Sequence, residues 1–95
     1  MFRLTALAVL ENRAGNRAAA EQALAQLVSE VGDAELYQQA EVMAQFGRPD
    51  EALVLLRRAR VVGDSGLTAI ASDPLLDPIA KDPRFQDFVR ELGFA

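Results

Sequence analysis

Apolar residues recur along this chain at the spacing of three and four that one face of an α-helix requires. Leu4, Leu7, Ala8 and Leu10 form a first stripe that stops at Gly15. Ala20, Leu24, Leu27, Val28 and Val31 form a second, which Asn16 precedes as a cap and Gly32 ends. Leu36, Tyr37, Ala40, Met43, Ala44 and Phe46 form a third between Asp33, a second candidate cap, and Gly47. Ala52, Leu53, Leu55, Leu56, Ala59 and Val62 form a fourth. Pro49 suits its first position, where no N–H is needed, and Asp50 and Glu51 place negative charge at the positive end of the helix dipole. No stretch alternates long enough to predict a strand. Turns of two or three residues make sequential helices antiparallel, so the first 62 residues read as two helical hairpins.

Residues 64–95 differ. Asp73-Pro74, Asp77-Pro78 and Asp82-Pro83 each pair a capping residue with a first-turn residue and read as helix starts. The expectation is a short helix near Leu67–Ala71, a turn-rich stretch, and a last helix near Arg84–Leu92. Leu67, Ile70, Leu75, Leu76, Ile79, Phe85, Phe88, Val89, Leu92 and Phe94 would fold back on the second hairpin. Capping accounts for Asp73, Asp77 and Asp82 better than a metal cluster does, and Arg84 can pair with one of them.

The hairpins repeat. Gly15 and Gly47, Ala20 and Ala52, Leu4 and Leu36, Ala8 and Ala40, and Leu24 and Leu56 all stand 32 residues apart. Glycine lets the chain turn, and alanine lets two backbones approach, as stacked hairpins demand. The second unit, LYQQAEVMAQFGRPDEALVLLRRA, resembles the tetratricopeptide repeat family at Ala40, Gly47, Asp50 to Leu53, Leu56 and Ala59. The first unit keeps Leu4, Leu7, Ala8, Gly15, Ala20 and Leu24, with Glu11 where a bulky aromatic is common and Leu27 where Ala is common. The period falls short of the family's ~34 residues, and the shortening is placed around Val31-Gly32-Asp33. The string SDPLLDPIAKDPRFQDFVRELGF is similar to the closing segment after the last such repeat in many bacterial multidomain proteins, through Asp73, Pro74, Leu76, Pro78, Asp82, Pro83, Arg84, Phe85 and Gly93.

The resemblance implies an all-α, single-domain fold: a right-handed solenoid of two stacked antiparallel hairpins (1–32 and 33–63) with a helical capping tail (64–95). It implies a concave face lined by Thr5, Val9, Asn12 and Arg13 of the first helix and by Tyr37, Gln38, Glu41 and Gln45 of the third. A protein or peptide partner would bind there, with Tyr37 as the anchor. Thr5 and Val9 do not supply the Lys and Asn with which chaperone-binding relatives hold a carboxylate. The alternative is that the chain is the C-terminal regulatory portion of a larger bacterial signalling or transcription-regulatory protein. Phe2, Leu4, Leu7, Val9 and Leu10 have no preceding hairpin to cover them, which points either to a C-terminal piece of a larger protein or to a homodimer through the first helix.

Composition narrows the chemistry. The 95 residues contain no His, Cys or Trp, which removes the commonest general base, the thiol nucleophile and the best zinc ligands. No enzyme activity, cofactor or metal is expected. A net charge of −4 argues against nucleic-acid binding, and Arg57, Arg58 and Arg60 read as complementing a helix C-terminus. No apolar run approaches the ~20 residues of a membrane span. The run MFRLTALAVL is ended by Glu11-Asn12-Arg13 too early for a signal peptide, so a cytoplasmic location is expected. Of 48 apolar residues 17 are Ala, so the core must come from close helix contact.

Overall fold

The computed structural model describes residues 2–93, and every regular element in it is helical. The side chains of Phe2 and Asp33, and residue Phe94, to which the sequence reading gave roles, lie outside the described residues. Helix α1 spans Phe2–Arg13, α2 Arg17–Val31, α3 Leu36–Gln45, α4 Pro49–Val62 and α5 Pro83–Glu91. Three 3₁₀ segments, Gly32–Glu35, Ser65–Ser72 and Pro74–Ile79, join them.

The two hairpin turns match bond for bond at the 32-residue offset. In the first, Gly15 N donates to Asn12 O (3.1 Å), Asn16 N to Glu11 O (2.8 Å) and Ala20 N to Asn16 O (3.0 Å). In the second, Gly47 N donates to Ala44 O (3.1 Å), Arg48 N to Met43 O (3.0 Å) and Ala52 N to Arg48 O (3.1 Å). Gly47 adopts φ 75°, a left-handed conformation that a side chain disfavours, and this reverses the chain within two residues.

Caps decide the boundaries elsewhere, and two expectations need correcting. Asn16 precedes α2 but makes no side-chain cap bond; its amide Nδ2 donates to Glu11 Oε2 at 3.0 Å. Asp77-Pro78 starts nothing: Pro78 lies inside the segment Pro74–Ile79, whose start is capped by Asp73. Asp73 accepts from Leu75 N and Asp82 from Arg84 N, both at 2.9 Å, as capping predicts. The helix expected near Leu67–Ala71 is 3₁₀.

Alanines bring the helices together. Ala8, Ala20, Ala40, Ala44, Ala52 and Ala59 are all fully buried. Around them lie two apolar clusters. One holds Leu4, Ala8, Val9, Ala20, Ala23, Leu24 and Leu27 of α1 and α2 against Val42 of α3 and Phe46 just past its end. The other joins the remaining face of α3 and the inner face of α4 to Ile70, Leu76, Ile79, Phe85 and Phe88 of the tail. Helix α3 is therefore shared between both. Leu76 and Phe88 are almost fully buried, so the tail completes the core of the second hairpin. Ion pairs mark its edges: Arg84 meets Asp50 of α4 (2.8 Å) and Asp82 (2.8 Å), while Arg57 and Arg60 meet Glu91 (3.8 and 3.5 Å). Arg57 also lies over the Phe88 ring, 5.4 Å from its centroid.

Candidate interaction site

The eight residues singled out from the sequence do lie on adjoining α1 and α3, but most are already engaged. Tyr37, Glu41 and Gln45 are four residues apart, so they form one stripe along α3. The segment Asp73–Leu75 crosses this stripe. The Tyr37 hydroxyl donates to Asp73 Oδ2 at 2.6 Å, and Gln45 Nε2 donates to Leu75 O at 2.9 Å. Tyr37 N donates to Asp64 Oδ2 at 3.1 Å. Asn12 Nδ2 donates to Gln45 O at 2.9 Å, and the Arg13 guanidinium holds Gln45 Oε1 through Nε (3.3 Å) and Nη2 (3.1 Å). Gln45 is thus the junction of α1, α3 and the tail.

Tyr37 itself is buried, and Gly66 explains how the tail reaches it. A Cβ on Gly66 would lie 2.7 Å from Tyr37 Cγ, so only glycine fits against the ring. The expected anchor for a partner therefore packs against the chain's own tail.

Glu41 lies one turn beyond Tyr37, is buried, and shares a hydrogen bond with Asp73. Burial, then that bond and the Asp73 charge, push the Glu41 carboxyl up to about 9. Burial alone would raise Asp73 too, but hydrogen bonds from Glu41, Tyr37 and Leu75 N outweigh it and hold this carboxyl below its ordinary range. Tyr37 is raised by burial and by the same carboxylate. At neutral pH one proton therefore sits on Glu41, and Asp73 carries the negative charge. Carboxyl pairs with displaced pKa values occur in acid–base sites. Here both Asp73 oxygens are committed, Oδ1 to Leu75 N and Oδ2 to Tyr37, so the pair fastens the tail to α3. Tyr37, Glu41 and Asp73 also line a depression of about 610 Å³, together with Glu35, Gln38 and Asp64 among others. Among the described residues no group of three or more acidic side chains is arranged to hold a metal ion.

The α1 side of the same face is different. Thr5, Ala6, Val9 and Leu10 form, with Glu41 and Leu75, a groove of about 420 Å³. Thr5 and Val9 are its buried floor, Ala6 and Leu10 its exposed wall. The buried Thr5 Oγ1 has no hydrogen-bond partner. The structure also sorts the apolar residues of α1 that were expected to lie uncovered: Leu4 and Val9 are buried, while Leu7 and Leu10 are 43% and 61% exposed. Sequence reasoning did not find Ala6, Leu75 or Asp73 as parts of this surface. The Asp73 cap was visible, but no local pattern shows where the second carboxylate oxygen goes.

No described helix is long and apolar enough to cross a membrane. No protein-family model matches the chain, and no curated protein or solved structure matches it either.

Proposed function

We propose that this chain is a non-enzymatic, tetratricopeptide-like interaction module that receives aliphatic side chains of a protein segment in the groove on α1. The observation that carries the reading is the division of the face between α1 and α3. The tail engages the Tyr37 hydroxyl and the Gln45 amide of α3, while the wall formed by Ala6 and Leu10 of α1 stays open beside Leu75. The matching turns and shared burial of alanines at one period support a repeat of stacked hairpins. The absence of His and Cys from the sequence supports a binding role over a catalytic one. The regulatory-portion alternative draws on the closing-segment resemblance alone.

Panning a random peptide library against the immobilised chain tests the groove. Enriched peptides should carry two closely spaced aliphatic residues. They should bind wild type and Val61→Glu, altered on the far surface of α4, but not Ala6→Glu. No enrichment, or binding that ignores Ala6→Glu, contradicts the proposal.

A further inference from the structure

The 32-residue period lets each position of α1 be compared with its counterpart in α3. Positions that face the partner helix of their own hairpin are buried in both: Leu4 and Leu36, Ala8 and Ala40, Ala20 and Ala52, Leu24 and Leu56. Within the helices, two pairs set an exposed residue of α1 against a buried one of α3, and just past them exposed Ala14 stands against buried Phe46 in the same sense. Val42 is fully buried in the cluster formed with α1 and α2, whereas its counterpart Leu10 is 61% exposed. Gln39 is buried and donates to Gly32 O at the end of α2 (2.6 Å), whereas its counterpart Leu7 is 43% exposed. These are the positions at which α3 receives the preceding hairpin. Helix α1 presents the same surface, made more apolar by Leu7 in place of a glutamine, and among the described residues nothing covers Leu7 and Leu10.

The opposite end of the stack is not available in this way. The trailing face of α4 is covered by Ile70, Leu76, Phe85 and Phe88 of the chain's own tail. The chain's own tail therefore holds the place where a following hairpin would stack. Like ends put together about a two-fold axis leave that tail undisturbed and produce a finite dimer. The α1 sequence permits that pairing, because Thr5 to Leu10 carry no charge, so no like charges are opposed at its centre.

We infer that the α1 face carrying Leu7 and Leu10 is a self-association surface whose occupant is the same face of a second copy. The inference rests on the repeat described above; Leu10 is shared with the groove, whereas Leu7 does not line it. Each copy contributes its Leu7 and Leu10, and the leucines cover one another across the two-fold axis.

Sedimentation velocity on the whole chain, from low to high micromolar concentration, tests this. The expected result is a reversible shift from 10.3 kDa toward twice that mass. Leu7→Glu alters both halves of a two-fold contact and should raise the dissociation constant by about a hundredfold. Leu10→Ser should weaken it in the same direction, and Val61→Glu should leave it unchanged. Circular dichroism of each variant shows that helicity is retained. A wild-type chain that stays monomeric at every concentration overturns the inference, as does a dimer that Leu7→Glu and Leu10→Ser leave intact. Peptide capture by Ala6-dependent binding in a strictly monomeric chain would overturn self-association while sustaining the groove.

Discussion

The Tyr37 hydroxyl lies 2.6 Å from Asp73 Oδ2, across 36 residues of chain, and this bond fastens the capping tail to α3. It is charge-assisted, and its acceptor also caps the segment Pro74–Ile79. Tyr37→Phe keeps the ring and deletes the donor. It should lower unfolding free energy by about 2 kcal/mol with helicity unchanged, as read from urea denaturation. A loss within the error of such curves would mean that the bond does not contribute.

The Glu41–Asp73 pair makes stability depend on pH with a definite sign. Folded Glu41 keeps its proton up to about 9, whereas in the unfolded chain it ionises near 4.5. The folded state therefore binds more protons between these values. This contribution is full below about 4.5 and is lost as pH rises to about 9. Asp73 runs the other way: its contribution is present above 3.8 and is lost as pH falls through its lower folded value. Stability from this cluster should peak in mildly acidic solution. Glu41→Gln keeps a donor for Asp73 without the ionisation, so wild type and variant should be similar near about pH 5 and the variant more stable near about pH 8. Denaturation midpoints at the two pH values decide; equal alkaline slopes contradict the assignment.

Gly66 tests the packing of the tail against the Tyr37 ring. A methyl group there meets the ring at 2.7 Å, and the backbone on either side is held by the Asp64 turn. Gly66→Ala should destabilise by about 1–3 kcal/mol, the usual range for overpacking. Ala69→Gly, at an exposed position of the same segment, separates this effect from altered backbone freedom.

The repeat comparison predicts opposite outcomes for two equivalent residues. Val42→Ala should cost about 2 kcal/mol, because it removes two buried methyl groups and leaves a gap between hairpins. Leu10→Ala should change stability by less than about 0.5 kcal/mol when measured at low concentration. Similar losses at both positions would mean that α1 is covered within the monomer.

Much of the helical framework was legible in the sequence because its causes are local. Gly15 and Gly47 mark turns by their own conformational freedom, and Asp73 and Asp82 cap through bonds two residues away. Asp77 misled because its proline also fits inside a 3₁₀ segment, where the missing N–H costs little. The site was legible only as a set of residues on adjoining helices. Tyr37, Glu41 and Gln45 share a face by helical spacing, but nothing local shows that residues 73–75 lie on it. That placement follows from burial of Leu76, Ile79 and Phe88, a tertiary cause that outweighs any pattern near α3. Packing of α1 against α2 and α3 likewise buried Leu4 and Val9 while leaving Leu7 and Leu10 exposed, a distinction that one apolar stripe does not contain.

The most direct test of an interaction face closed over α3 and open over α1 is solvent paramagnetic relaxation by NMR, with the chain at low concentration. A soluble probe should relax the protons of Ala6, Leu7 and Leu10 strongly and those of Tyr37, Ala40 and Glu41 weakly. Strong relaxation at Tyr37 and Glu41, equal to that at Leu10, would mean that the tail does not cover α3 and would contradict the account.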